Sequence, residues 1–466
     1  MIERHDVVVV GGGIAGLTAA WRLRHRDVLL LEAADRLGGR MRSDDAGAYW
    51  LNYGAHLFPA PGSLVDTLAR EVELETVPVW GGMMGLAVGG SRLTSGPVES
   101  YPFRLPLSIR ERVAFAFGGL KVQRAVAAYH RVARPQPAET SADTRARILA
   151  YLDDRTFAEF LGPMPAAVER IFATAAHRAT AELDELSAGC GIGLFALVWG
   201  GKRSLIARNL LGGTGRLPAV IGARLGPAAR TRAEVRSIEP DGDGQLVGFV
   251  EASETRTVRA RQVIVAAQAP TASRLIAGVA PDASAALARM TYGAFLNVAV
   301  LTKEAGPMPW DGVYAMATPG RAFDMFTNQA HVLRGGERRP GGSLMLFGGG
   351  HAAAELSGAS DDVITDRFLR DLVDLYPEAS GIVAEARVQR WPLGNVFARP
   401  GRRLLQAPIE GPLGPAANIH LAGDYFAELG NLEMAARTGA AAADRVEAML
   451  AAEPAPAPPE LMEAVR

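Results

Sequence analysis

An unbroken apolar run, Val7-Val8-Val9-Val10, stops at Gly11-Gly12-Gly13 and passes into the helical stretch Ala15–Arg24. Continuous apolar residues bounded by glycine predict a buried parallel strand, a tight turn and a helix. Val28–Leu31 predicts a second strand, and Leu64, Leu68 and Val72 share one face of a helix beginning near Ser63. From Val79 to about Arg203 the rhythm changes. Weak strands give way to helices, one of them opening at the capping box Ser108-x-x-Glu111. Over Arg203–Ala267 the α/β rhythm returns: a Gly212–Gly215 turn before a helix, a strand at Ala233–Ile238, a hairpin turn at Asp241–Gly244 and a buried strand at Gln262–Ala267. A strand is expected at Tyr292–Glu304 and a helix at Asp361–Leu375, ended by Pro377. Last come a strand at Asn418–Leu421, a helix at about Leu432–Ala451 and a proline-alanine tail expected to be disordered.

The first turn carries chemistry. Gly11, Gly13 and Gly16 fill the three positions of GxGxxG: one allows the tight turn, one lets backbone approach a pyrophosphate, one lets helix pack on strand. Phosphates at that helix N-terminus would meet amide donors and the positive end of the macrodipole. Glu32 closes the second strand 21 positions after Gly11, where a carboxylate can accept from ribose hydroxyls of an adenosine lacking a 2′-phosphate. A dinucleotide site follows.

Composition mainly excludes. The 466 residues suffice for two or three domains, and 48 % apolar with 21 % charged content is ordinary for a globular chain. A net charge of −1 gives no bulk attraction to nucleic acid or to anionic membrane. The one cysteine, Cys190, rules out an internal disulfide and a dithiol redox pair, and the eight histidines show no metal spacing. No apolar leader precedes the first strand and no run approaches the roughly 18 apolar residues of a membrane span, so a cytoplasmic location is expected. Docking of 101–126 on a membrane is also weighed, for delivery of a lipophilic substrate. At 100° per residue Arg110, Lys121 and Arg124 fall together with Phe117 among them, which argues against segregated faces.

The run Glu32-Ala33-Ala34-Asp35-Arg36-Leu37-Gly38-Gly39-Arg40 resembles the signature of FAD enzymes in the flavin amine oxidase superfamily, which includes monoamine oxidases, protoporphyrinogen oxidases and phytoene desaturases. Ala422-Gly423-Asp424, followed by Glu433-Met434-Ala435-Ala436-x-x-Gly439, resembles its closing motif. The resemblance implies an α/β fold: a discontinuous Rossmann-like FAD-binding domain (1–80, 204–289 and 405–451) with an inserted α+β substrate domain (81–203 and 290–404), ahead of the tail 452–466. It implies that Arg40 helps hold the pyrophosphate, that Asp424 reaches the ribityl–phosphate part, and that the helix opening at Leu432 aims its amides at the flavin pyrimidine edge. Cofactor contacts are expected from Gly11, Gly13, Ile14, Ala15, Gly16, Glu32, Ala33, Arg40, Gly54, Ala55, His56, Val235, Gly423, Asp424 and Leu432.

Amine oxidases of the superfamily place a lysine beside flavin N5. Register against Lys303-Glu304 puts that position on Asn297. The aromatic expected before the last helix is Asn431, and the flavin-linking cysteine is absent from Trp391–Phe397, so FAD is expected to be non-covalent. Arg390-Trp391-Pro392 and Tyr53-Gly54-Ala55-His56 look more like the protoporphyrinogen oxidase and desaturase branch. The expectation is an oxidoreductase that removes hydride from a carbon of an apolar or polycyclic molecule, with oxygen or another acceptor reoxidising it. Asn297, Trp391 and Asn431 are expected to line one cavity, with His56 a candidate base and Trp391 at a turn. Three alternatives remain open: an amine or amino-acid oxidase with an altered cage, a redox-neutral isomerase or mutase, and a non-catalytic flavin-binding subunit.

Overall fold

The computed structural model describes residues 2–60, 62–79, 85–196, 198–199, 206–410, 413 and 418–452. The four-valine run is apolar throughout because both faces of its strand are covered. Val7 and Val9 pack with Ile14, Leu17 and Ala443, while Val8 and Val10 pack on the opposite face with Leu275 and Leu287. The strand Glu3–Val10 pairs in parallel with Val28–Leu31 on one side and with Glu254–Val265 on the other. Ile419–Leu421 pairs in parallel with the end of Glu254–Val265 and so carries the chain's last strand into the same sheet as its first. An antiparallel meander of Ala233–Asp241 and Gly244–Glu251 extends this sheet.

A second sheet of seven strands runs in the order Val383–Phe397, Thr291–Thr302, Gly342–Gly348, Met325–Asn328, Ala315–Ala317, Gly85–Val88, Ser91–Leu93. The helix Asp361–Leu375 buries Ile364, Phe368 and Leu372 against it. A layer of helices, chiefly Ile109–Ala133 and Ala166–His177, closes around Phe157 and Phe172. The architecture is α/β throughout.

The helix Asp361–Leu375 and the Ser108–Glu111 capping box fall where the pattern predicts. Trp391 does not: it lies inside the 15-residue strand Val383–Phe397, not at a turn. Apart from a bridge between Phe397 and Leu429 at its end, that strand pairs with Thr291–Thr302 alone among the described residues, so Pro392 interrupts no ladder on its open edge. Lys303 falls just beyond Thr291–Thr302. The expected boundaries at 80/81 and 203/204 and nearly all of the tail lie outside the described residues.

Candidate active site

The opening turn has the geometry that its glycines require. Gly11 sits at φ +104 and donates its amide to the Leu31 carbonyl at 2.8 Å. A Cβ on Gly16 would lie 1.9 Å from the Gly11 oxygen, so no other residue fits there. Gly13 caps the helix Ile14–Arg22 without a side-chain hydrogen bond, and a Cβ on it would meet nothing within 4 Å. Ile14 and Ala15 are buried, and the first turn holds no acid. An uncapped, acid-free helix N-terminus facing open space suits a phosphate. Glu32 accepts from the Gly12 amide at 2.6 Å and from the Ala34 amide at 2.8 Å, which fixes its carboxylate at the strand end beside exposed Ala33. The Glu32 carbonyl also receives the Ala233 amide at 2.9 Å, and Val235 is buried two residues further along that strand.

Arg40 and Asp424 join the two ends of the chain. Arg40 Nη2 lies 2.8 Å from Asp424 Oδ2, and Nη1 donates to the Gly394 carbonyl at 3.2 Å. Burial opposes the Arg40 charge, but Asp424 outweighs it and raises the guanidinium above its ordinary value. The Gly423 amide is held by Thr438 Oγ1 at 2.9 Å on the last helix, Leu432–Ala452. At that helix's start Leu432 is buried, and Glu433 receives the Leu64 and Val65 amides at 2.9 and 3.2 Å. Asn431 is exposed and serves as a cap: its Oδ1 accepts the Met434 amide at 2.8 Å and its Nδ2 donates to the Leu429 carbonyl.

Between these ends, Tyr53-Gly54-Ala55-His56 crosses beneath the second sheet. The Arg40 carbonyl receives the Ala55 amide at 3.1 Å, and a Cβ on Gly54 would lie 2.1 Å from that oxygen. Asn297 Nδ2 and Trp391 Nε1 both donate to the Tyr53 carbonyl, at 2.5 and 2.7 Å. The structure thus brings Asn297 and Trp391 together. Asn431 shares no hydrogen bond with either, because its amide is committed to its own helix. His56 is 8 % exposed, and its Nδ1 faces the Gly54 carbonyl at 3.0 Å, which fixes the proton on Nδ1. Burial lowers its pKa to about 4. Two buried atoms in this region have no partner, His56 Nε2 and Asn297 Oδ1. Buried polar atoms are normally satisfied, and these two acceptors remain open.

The glycine turn, the fixed carboxylate and the Arg40–Asp424 junction fit a dinucleotide. The sequence model of the flavin containing amine oxidoreductase family matches residues 14–447. The chain belongs to that family. It is an oxidoreductase, and its cofactor is FAD. Among relatives, a coproporphyrinogen III oxidase of Mycobacterium tuberculosis (strain ATCC 25618 / H37Rv) is 26 % identical over 95 % of this chain and 97 % of its own length. A putative flavin-containing monoamine oxidase AofH of Mycobacterium tuberculosis (strain CDC 1551 / Oshkosh) is 30 % identical over 52 % of this chain and 53 % of its own. In fold, a cyclohexylamine oxidase from Brevibacterium oxydans IH-35A superposes with a TM-score of 0.76 at 20 % identity, covering 96 % of this chain and all of that one. A putrescine oxidase superposes at 0.74 and 19 % identity, over 96 % and 99 %.

This member of the family holds two contacts that sequence reasoning missed. One is the Tyr53 carbonyl, a backbone group with no signature. The other is Thr214, whose hydroxyl reaches the Ala55 carbonyl at 3.0 Å. Its Gly212-Gly213-Thr214-Gly215 context was visible as a turn, with nothing to indicate what the hydroxyl touches.

Proposed function

We propose that this flavoenzyme removes hydride from a carbon of an apolar or polycyclic small molecule, as an oxidase or desaturase. Asn297 carries the reading. The superfamily's amine oxidases resemble this chain at that strand but place a lysine there, whereas this chain buries an amide locked to the Tyr53 carbonyl. No amine is left at that position to titrate. The likeness to a coproporphyrinogen III oxidase over nearly the whole chain supports a polycyclic substrate.

FAD, when bound, supplies the hydride acceptor. In this reading the helix N-terminus at Gly13–Gly16 holds the pyrophosphate, Glu32 the ribose, with Ala33 and Val235 beside it. Arg40, Gly423, Asp424 and Leu432 secure the middle and far end, and Gly54-Ala55 support the ring. The one cysteine is buried and donates Sγ–H to the Glu428 carbonyl at 3.2 Å, with its thiol pKa pushed up by burial. A thiol held this way is a poor nucleophile, which supports non-covalent attachment. Trp391 presents indole surface to an apolar ligand while its N–H stays bonded. In this reading His56, neutral with an unpartnered Nε2, takes the proton that must leave the atom adjacent to the carbon losing hydride. Loss of hydride and proton together leaves one new double bond in the product, and oxygen or another acceptor takes the electron pair onward. The division into cofactor and substrate domains follows the two large sheets and belongs to the same proposal.

Anaerobic mixing of the holoenzyme with reduced cyclic tetrapyrroles, other polycyclic compounds and alkylamines tests this. Bleaching of the oxidised flavin band by the polycyclic class, and not by amines, is the expected result. Bleaching by amines alone would overturn it in favour of an amine oxidase. Turnover only after dithionite reduction would assign an isomerase, and no response to any class a binding role.

A further inference from the structure

One face of the second sheet is left open in its middle. Register sets Asn297 opposite Phe347, Phe347 opposite Met325, Met325 opposite Ala317 and Ala317 beside Leu86, so the five side chains form one row across that face. Phe347 and Ala317 are only half-buried, although strands flank each of them on both sides. Phe295, two residues before Asn297 and therefore on the same face, is half-buried too, and its ring meets Phe347 edge-on at 5.6 Å. One end of the row reaches the Tyr53 carbonyl through Asn297. The other end is covered by Ile171 of the helix Ala166–His177, which packs with Leu86 and Ala317. An apolar depression lies between the two.

That helix brings a charge to it. Arg178 caps Ala166–His177 in helical conformation, seven residues after Ile171 and so on the same stripe. The turn that follows sits on the strands bounding the depression: a Cβ on Gly293 would lie 2.1 Å from the Thr180 carbonyl oxygen, and the Thr180 hydroxyl donates to the Asn395 carbonyl at 3.3 Å. The Arg178 guanidinium is half-buried and has no hydrogen bond or ion pair among the described residues. The acids beside this turn are already committed, since Glu182 and Asp324 hold His177 at 3.0 and 2.6 Å. Burial pushes Arg178 below its ordinary value with nothing to oppose it. Burial also opposes the charges of Arg36, Arg40, Arg402 and Arg445, but each of those faces at least one carboxylate. A desolvated cation without a counter-charge is costly, and a guanidinium left so is matched by an anion that a ligand supplies.

We propose that Arg178 is a specificity-determining residue that pairs with an acidic group of the ligand, a carboxylate on an apolar skeleton lying along Phe295, Phe347 and Ala317. One guanidinium takes one such group, through two parallel hydrogen bonds. This pairing rests on the hydride-removing cavity proposed above and adds a charge requirement to it: acids are admitted and protonated amines are repelled. No covalent step is involved.

Calorimetric titration of the FAD-loaded protein with naphthoate, against the neutral naphthamide and the cationic naphthylmethylammonium, tests it. The wild type should bind naphthoate at least about tenfold more tightly than naphthamide and should reject the ammonium. Arg178→Gln should erase that preference, Arg178→Lys should keep part of it, and Arg178→Glu should turn it toward the ammonium, all with unchanged flavin content. A wild type that binds naphthoate no better than naphthamide, or not at all, would overturn the proposal. So would a preference for naphthoate that survives in Arg178→Gln. Binding is read here without flavin reduction, so a failure of the hydride reading shows separately, as absence of bleaching in the anaerobic experiment.

Discussion

Tyr53 serves the site through its backbone. Its carbonyl gathers two side chains from separate strands, Asn297 and Trp391, and its ring turns away so that the hydroxyl meets Asp44 at 2.9 Å. Identity at position 53 therefore says little about what happens there. Glu32 is the opposite case, a side chain whose spacing after Gly11 announced its place. Its oxygens are already oriented by the Gly12 and Ala34 amides, so the carboxylate presents its remaining lone pairs without reorganisation. Glu32→Ala should weaken FAD by about 1.5–3 kcal/mol per lost charge-assisted bond, with Glu32→Gln intermediate. Titration of apoprotein with FAD, followed by flavin fluorescence, measures this. Equal affinity for wild type and Glu32→Ala would remove Glu32 from the ribose.

The first and last helices meet at glycine. A Cβ on Gly439 would lie 2.0 Å from the Ala15 carbonyl oxygen, against backbone that cannot swing aside. Gly439→Ala is expected to cost about 3 kcal/mol or more, beyond the usual range for overpacking a core, and to lower FAD affinity with it, since Ile14 and Ala15 open the phosphate-binding helix. A denaturant midpoint unchanged from wild type would contradict this. Elements with strong periodicity and explicit stops were legible in the sequence, among them Glu3–Val10, Ile14–Arg22 and Asp361–Leu375. Trp391 was misplaced because Pro392 reads as a turn when the strand's open edge is unknown. Within the site, the glycines and Glu32 stood out by spacing, and Arg40 and Asp424 only through the resemblance. The nearness of Asn297 and Trp391 was expected, but the Tyr53 carbonyl that joins them lies 244 and 338 residues away in sequence, and the Asn431 cap is a local turn without signature.

Across the molecule, two kinds of buried histidine set opposing pH limits. His177 links the helical layer to the second sheet, with Nδ1 2.6 Å from Asp324 and Nε2 3.0 Å from Glu182. Burial disfavours its charge, but the two carboxylates outweigh burial and raise its pKa to about 10. Its stabilising contribution is complete below the ordinary histidine value of 6.5 and is lost as pH rises toward 10. His56 and His420 are lowered to about 4 by burial, so theirs is complete above 6.5 and is lost as pH falls toward 4. Stability should therefore peak near pH 6.5, with the alkaline limb on the order of 5 kcal/mol and the two-histidine acid limb on the order of 7 kcal/mol at their limits, and His177→Gln should flatten the alkaline limb. Denaturant midpoints between pH 5 and 9 read this, and a monotonic rise to pH 9 would contradict it. The catalytic account is tested most directly by a substrate deuterated at the carbon assigned to lose hydride, with the rate of anaerobic flavin reduction as readout. The account predicts a primary isotope effect on that rate with a polycyclic substrate. Flavin reduction that proceeds equally fast with the protiated and deuterated carbon would contradict it.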